Sequence, residues 1–118
     1  MPTPKEHRAQ AEHNEFFVSG LDNPFWDWAV AGTFYAALHY VDSFLMMKGI
    51  DPPRHKDRNP IVETDPTLSK IWLEYSQLYN DSKLARYEVH QFNKEEVRLL
   101  TDNYLKPIKD LIVPLLPK

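Results

Sequence analysis

Two short stretches of the chain place arginine beside histidine, the pair of side chains that metal-free phosphate chemistry uses. Residues 55 to 59 read His-Lys-Asp-Arg-Asn, and residues 86 to 90 read Arg-Tyr-Glu-Val-His. Cleavage of RNA without a metal needs a base for the 2′-hydroxyl proton, an acid for the leaving oxygen and a cation on the phosphate, and histidine with arginine supplies all three. The catalytic candidates are two histidines and two arginines, namely His55, Arg58, Arg86 and His90.

Each stretch also has a plainer interpretation. A loop of mixed charge is usually solvated, and arginine with histidine at the end of a helix is often a C-terminal cap. A further histidine, His39, lies one helical turn after Tyr35 and one turn before Asp42, so the three would share a stripe along which a proton can be relayed. For His39 we favour the simpler role of a half-buried histidine that hydrogen-bonds to its neighbours.

Several other chemistries are excluded. The chain has no cysteine, and its five histidines form no pair at i, i+4, so we predict neither a metal site nor a cofactor. Its three glycines are well separated, which excludes a glycine-rich phosphate loop. The net charge of -3 requires any contact with nucleic acid to come from a local patch. We expect no membrane span, and we expect the cytoplasm as the compartment.

The elements that must position these residues are predicted to be helices. The chain has 118 residues, 42% of them hydrophobic, which predicts one globular domain over residues 1 to 118. The first helix begins at about residue 4, where Thr3 and Glu6 form a capping box, and ends at Gly20. The second, the apolar centre of the fold, runs from Asn23 to a left-handed glycine cap at Gly49.

The second half of the chain predicts two more helices. Asp65 and Pro66 open a third helix, which ends between residues 87 and 90. Asn93 and Glu96 form a capping box for a fourth helix, which Pro107 should kink. No helical pattern is visible between residues 50 and 65, so this segment is predicted to be a long loop. The expected fold class is all-α, an antiparallel four-helix up-down bundle with that loop between helices two and three.

The predicted bundle places the two basic stretches far apart, although a shared site would require them to be close. In a simple up-down bundle Arg58 and Arg86 would lie at opposite poles, about 33 Å apart. We expect the long loop to fold back and bring His55 or Arg58 near Arg86 and Tyr87, so that arginine binds phosphate and histidine acts as acid or base. Large apolar side chains at the two ends of helix two predict a two-fold homodimer, namely Phe25, Trp26, Met46 and Met47.

The order and spacing of these residues resemble a known family. The matching segments are Trp-Ala-Val at 28 to 30, Phe-Tyr-Ala-Ala-Leu-His at 34 to 39, His55-x-x-Arg58-Asn59, and Leu78-x-x-x-Ser82-x-x-Ala85-Arg86-Tyr87. Over about residues 5 to 113 the chain resembles the small HEPN-domain proteins of bacteria and archaea. The resemblance implies a helical bundle that dimerises, often in toxin–antitoxin, defence or RNA-processing systems and beside a nucleotidyltransferase.

The resemblance also implies an activity and a site. Active members are metal-independent ribonucleases with an Arg-x(4–6)-His motif, whereas Arg86 and His90 here have three residues between them, and Arg8 with His13 matches only on helix one. The polar site carried over consists of His55, Arg58, Asn59, Arg86 and Tyr87, with His39 and Ser82 as neighbours. We therefore expect an RNA-associated module with ribonuclease activity. The alternative is a noncatalytic bundle that binds a nucleotide, a nucleic acid or a protein partner, such as a nucleotidyltransferase antitoxin.

Overall fold

The fold was analysed in a computed structural model, which describes residues 2–19, 26–87 and 92–117, apart from the side chains of Ser19 and Tyr87. Every regular element in these ranges is helical, which confirms the all-α class. The α-helices are α1 (Pro4–Ser19), α2 (Trp26–Met47), α3 (His55–Thr64), α4 (Trp72–Tyr87), α5 (Lys94–Leu100) and α6 (Lys106–Ile112). Two 3₁₀ turns, Leu68–Ile71 and Val113–Leu115, precede α4 and follow α6, and a π turn, Thr101–Leu105, joins α5 to α6.

The central helix of the fold is α2, as its composition predicts. It packs against α1 on one side and against α4, α5 and α6 on the others. Its buried side chains include Phe34, Tyr40 and Leu45, each fully removed from solvent. Within the described ranges, no helix combines the length and the apolar character needed to cross a bilayer.

Three predicted start and stop signals of the helices are confirmed, whereas the predicted end at Gly20 and start at Asn23 lie outside the described residues. Thr3 Oγ1 accepts from the Glu6 backbone N–H at 3.1 Å, and Glu6 accepts from the Thr3 N–H at 3.0 Å. The same reciprocal pair joins Asn93 and Glu96 at the start of α5. After α2, Gly49 has φ 74°, the left-handed conformation that glycine adopts at low cost. These caps define helix ends from short-range hydrogen bonds alone.

The predicted loop between residues 50 and 65 is wrong, because most of it forms α3. The helix begins after Arg54, whose carbonyl accepts from the backbone N–H groups of Asp57 and Arg58. Its inward positions are Arg58, Val62 and, just beyond its end, Asp65, spaced as i, i+4, i+7. Two of these three buried residues are charged, so the segment lacks the apolar periodicity that reveals a helix. The fold therefore has five helical columns in the described ranges instead of four, with α5, the π turn and α6 forming one.

A buried ion pair fastens α3 to α2. Arg58 Nε donates to Asp42 Oδ1 at 2.8 Å and Arg58 Nη2 donates to Asp42 Oδ2 at 3.0 Å. The same Nη2 also donates to the Pro52 carbonyl at 3.1 Å, which ties down the segment that leads into α3. The two side chains are only 8% and 6% exposed. The ion pair between Arg58 and Asp42 therefore forms part of the contact between α3 and α2, where most packed helices have apolar side chains.

The interruption expected at Pro107 takes the form of the π turn. Proline has no backbone N–H, and its ring crowds the carbonyl four residues earlier. Just before it, the Lys106 N–H donates to the Thr101 carbonyl five residues back, which widens the turn. The column continues beyond Pro107 as α6, so Ile108 and Ile112 reach the core.

Removal of one partner of the buried ion pair should destabilise the protein strongly. We expect Arg58→Met to lower the free energy of unfolding by about 3–5 kcal/mol, because the Asp42 carboxylate is left buried and uncompensated. The double variant Asp42→Leu/Arg58→Met should recover most of this loss, since no charge then remains buried. Urea unfolding followed by circular dichroism measures both.

Arg54→Met is the matched control for this experiment. Arg54, the residue before α3, pairs with Asp57 on that helix, but the Arg54 side chain is 62% exposed. Exposed ion pairs contribute at most about 1 kcal/mol, so this variant should unfold nearly like the parent protein. Equal effects of Arg54→Met and Arg58→Met would contradict the role assigned to the buried pair.

Candidate functional site

A groove of about 710 Å³ runs between α1, α2 and α4 and brings together polar and aromatic side chains. Helix α2 forms the floor of the groove. Gly32 on α2 allows α1 to pack closely, because a Cβ at position 32 would lie 2.7 Å from Val18 Cγ2. Tyr35 and His39 line one part of the groove, and Trp28, about two turns earlier on the same face of α2, lines the other.

The positive charge of the groove comes from Arg86 at the end of α4. Its Nη1 donates to the Tyr35 hydroxyl oxygen at 2.7 Å, and its Nε donates to the Ser82 carbonyl at 3.2 Å. The guanidinium also lies 5.6 Å from the centre of the Tyr35 ring, within the range of a cation–π contact. Because the Tyr35 oxygen accepts from arginine, its own O–H proton is directed elsewhere and can be donated to a ligand.

His39 is held by a second histidine that sequence analysis did not single out. Nδ1 of His39 lies 3.0 Å from Nδ1 of His7, which is on α1 and only 7% exposed. Burial lowers the pKa of His39, and electrostatic interactions with His7 and Arg58 lower it further against the opposing effect of Asp42. His39 is therefore neutral at pH 7.

A sequence signal for His7 does exist. His7 and the fully buried Ala11 are four residues apart on α1, so they share the face that packs on α2. A histidine at an inward position of an amphipathic helix needs a hydrogen-bond partner, and His39 was the available candidate on the neighbouring helix. The pairing itself follows only from the rotation of α1 against α2.

His55, at the start of α3, lies beside Arg58 and packs against two aromatic rings of α2 and α4. Its ring packs against the rings of Phe34 and Tyr79, at centroid distances of 5.6 and 5.4 Å. Its Nδ1 lies 3.5 Å from Arg58 Nη1. Burial lowers the pKa of His55, and the charges of Arg58 and Arg86 lower it further, so His55 is within electrostatic reach of both arginines.

The other predicted site residues have different placements. Arg58 lies beneath the surface in its bidentate pair with Asp42, whereas Arg86 lines the groove. Oδ1 of Asn59 and Oγ of Ser82 are buried and have no hydrogen-bond partner among the residues that the structure describes. The predictions for His90 and for the side chain of Tyr87 fall outside the described residues.

A second groove of about 670 Å³ lies between α1, α2 and the α5–α6 column. Three acidic and three basic side chains line it, and two of them, Glu15 and Lys109, bond to each other at 3.2 Å. This mixture of signs gives no preference for an anion or a cation. Among the described residues that line the first groove, Asp27 is the one carboxylate, and it is about 12 Å along α2 from Tyr35, whereas Arg86 supplies positive charge at the Tyr35 end.

The first groove is chemically suited to an anion that carries an aromatic group. It combines the charge of Arg86 with the hydroxyl of Tyr35 and the imidazole of His39, and it adds the exposed indole of Trp28. Within residues 2–19, 26–87 and 92–117, no cluster of three or more histidine or carboxylate side chains is arranged to hold a metal ion. Comparisons of the chain with protein-family models, with curated proteins and with solved structures found no match.

Acidification should destabilise the protein below neutral pH. The pKa values of His39 and His55 lie below the ordinary value of 6.5, so below that pH the unfolded chain binds more protons than the folded chain. The stability that the neutral imidazoles provide is complete above about pH 6.5 and is lost as the pH falls toward their lowered pKa values. We expect the Tm to fall between pH 7 and pH 5.5, as measured by thermal denaturation.

Two variants test whether this pH dependence comes from the half-buried imidazoles of His39 and His55. His39→Gln/His55→Gln should flatten the dependence of Tm on pH. His13→Gln, at an exposed position on α1, should retain it. An unchanged slope in the double variant would show that other groups bind the protons.

Proposed function

We propose that this chain is an RNA-associated helical module of HEPN-like type, of the kind found in toxin–antitoxin or defence systems, and that RNA lies in the groove between α1, α2 and α4. The observation that carries the proposal is the position of Arg86, hydrogen-bonded to Tyr35, in the same groove as an exposed tryptophan. The charge attracts phosphate, and the indole offers a face on which a base stacks.

The aromatic part of the groove supports RNA in preference to a small anion. Trp28 is 62% exposed and Phe17 is 46% exposed, and both side chains line the groove. Trp28 and Tyr35 are seven residues apart on one face of α2, about 10 Å along its axis. A single strand can place a phosphate beside Arg86 and Tyr35 while a neighbouring base stacks on Trp28. This local site offsets the net charge of -3, which opposes binding elsewhere on the surface.

Cleavage is the second function, and the environment of His55 favours it. His55 does not line the groove itself, but its ring lies 3.5 Å from Arg58, and the charge of Arg86 contributes to the lowering of its pKa, so a neutral His55 is the base that we propose for the 2′-hydroxyl proton. The 2′-oxygen then attacks phosphorus, the bond from phosphorus to the 5′-oxygen breaks, and the 5′-oxygen takes up a proton from water, whose hydroxide then deprotonates His55. The product is a 2′,3′-cyclic phosphate, and no metal takes part.

The binding proposal is tested with a fluorescein-labelled single-stranded RNA followed by anisotropy. Trp28→Ala should weaken binding roughly tenfold, because base stacking on an aromatic side chain contributes about 1–3 kcal/mol. Arg86→Gln should weaken binding of every RNA sequence. It should also reduce the slope of log K against log salt concentration by about 0.7, the value for one phosphate contact with a single strand.

Arg98→Gln is the matched control for charge. It makes the same change in net charge at an exposed arginine of α5 that pairs with Glu95 and does not line the groove. We expect the salt slope of this variant to equal that of the parent protein. If Arg98→Gln and Arg86→Gln weaken binding equally, RNA binds through the general field of the protein and the groove is not the site.

Cleavage is tested in EDTA with the same RNA. The expected products end in a 2′,3′-cyclic phosphate, and His55→Gln should abolish them while RNA affinity is retained. Binding without products would make the chain a noncatalytic RNA-binding module. Products that require a divalent metal would contradict the proposed chemistry.

We also propose that the protein acts as a homodimer, with a nucleotidyltransferase antitoxin as a further partner. Met47, at the end of α2 that predicts the interface, is 42% exposed, and Leu73 on α4 is 76% exposed, so a second copy of the chain could bury these apolar side chains. Light scattering at micromolar concentration should give twice the chain mass of 13.9 kDa. A strictly monomeric particle would contradict the dimer.

A further inference from the structure

The two histidines that face each other across α1 and α2 restrict where their protons can lie. Their Nδ1 atoms are 3.0 Å apart, and the ring centroids are 5.2 Å apart. At this distance one Nδ1 carries a proton and donates, and the other is bare and accepts. The contact therefore fixes opposite tautomers on His7 and His39.

Burial of the far side of His7 decides between the two arrangements. Its Nε2 is buried and has no hydrogen-bond partner among the described residues. If His39 donated, His7 would carry its proton on Nε2, as a buried N–H without an acceptor. Buried N–H groups without an acceptor are rarer in proteins than buried acceptors without a donor. An unprotonated Nε2 on His7 therefore has the lower free energy. A doubly protonated His7 would bury the same orphan N–H and is disfavoured for the same reason.

The favoured arrangement places the proton of His7 on Nδ1, where it donates to Nδ1 of His39. His39 then has only one nitrogen left for its own proton, Nε2, which is also the nitrogen left for a ligand in the groove. Tyr35, one turn earlier on α2, directs its hydroxyl proton away from Arg86. The groove thus presents two neutral donors beside one cation.

We propose that His39 is a fixed hydrogen-bond donor of the groove, which offers Nε2–H to a phosphate oxygen, and that His7 is the positioning residue that holds this tautomer. The assignment of phosphate as the acceptor rests on the proposed function, whereas the tautomer rests on the histidine contact alone. His39 is then not the base of the cleavage step, because its exposed nitrogen already carries a proton. That role stays with His55.

The charged groups around His39 are consistent with a neutral donor. His7 faces it from α1, Asp42 from its own helix, and Arg58 from α3. Arg86 lines the same groove from α4. The arginines disfavour an additional proton on His39, and burial lowers its pKa in the same direction. Donation by His39 therefore persists at pH 7 and above. A histidine that binds phosphate only in its cationic form would release the phosphate in this pH range.

The tautomer is tested on the unmodified protein by ¹⁵N NMR of the imidazole rings at pH 7.5. We expect His39 to show a protonated Nε2 and a bare Nδ1, and His7 to show the reverse. Addition of inorganic phosphate, or of the single-stranded RNA, should shift the Nε2 signal of His39. A bare Nε2 on His39 would overturn the inference, whether or not RNA binds.

Variants of His7 separate positioning from mere packing. The amide nitrogen of asparagine can occupy the place of Nδ1, so His7→Asn should keep the His39 tautomer and keep RNA affinity within about twofold. His7→Ala lacks the donor, so His39 should become a mixture of tautomers and RNA affinity should fall roughly fivefold. His13→Ala, at an exposed position on α1, is the control and should bind as the parent does.

The outcomes distinguish this inference from the proposed function. A protonated Nε2 on His39 in a protein that binds no RNA would refute the proposed function and leave the tautomer assignment intact. If His7→Ala and His7→Asn weaken RNA binding equally and have equal Tm values, the positioning role is refuted and the proposed function stays intact. The Tm of each variant shows whether a loss of affinity comes from unfolding.

Discussion

The buried ion pair between Asp42 and Arg58 is the constraint on which the rest of the structure depends. Removing two charges from water is costly, and only bidentate geometry with further hydrogen bonds offsets that cost. Here both carboxylate oxygens are bonded to the guanidinium, which also reaches the Pro52 carbonyl. This pair holds α3 against α2, and the start of α3 carries His55. Placement of that histidine is thus a consequence of charge pairing inside the protein.

The same logic extends along one stripe of α2. Tyr35, His39 and Asp42 follow one another at about one-turn intervals, and each finds a polar partner on a different helix: α4, α1 and α3 respectively. A single row of polar side chains on the most apolar helix therefore orients three of its neighbours. Polar pairs require a particular distance and direction, whereas apolar contacts tolerate sliding. The polar stripe on α2 thus determines how α1, α3 and α4 are rotated against α2, in addition to holding them in contact with it.

This organisation explains how an acidic protein can offer a site for an anion. Several of its surface charges pair with a neighbour on the same helix, as Glu95 does with Arg98 and Lys106 with Asp110. The groove instead collects a cation and groups that donate hydrogen bonds without charge. Burial keeps its histidine neutral, so its contribution is directional and does not depend on acidification. Binding of RNA at such a site would rely on local geometry and stacking more than on long-range attraction.

The sequence by itself determined the all-α class, the central position of α2 and the helix ends at Thr3, Gly49 and Asn93, because these depend on apolar periodicity and on capping bonds between nearby residues. The capping boxes at Thr3 and Asn93 are examples. It also brought Tyr35, His39 and Asp42 onto one face, since that follows from helical spacing alone.

Only the tertiary structure decided that residues 55 to 64 form a helix and that His7 faces His39. A buried arginine in place of an apolar residue leaves no periodic signal, so α3 could not be read without its partner Asp42. Likewise, the contact between the two histidines spans 32 positions and depends on the rotation of α1 against α2. Polar pairing between distant segments has no local pattern, and for that reason the sequence contained the candidate residues but not their arrangement.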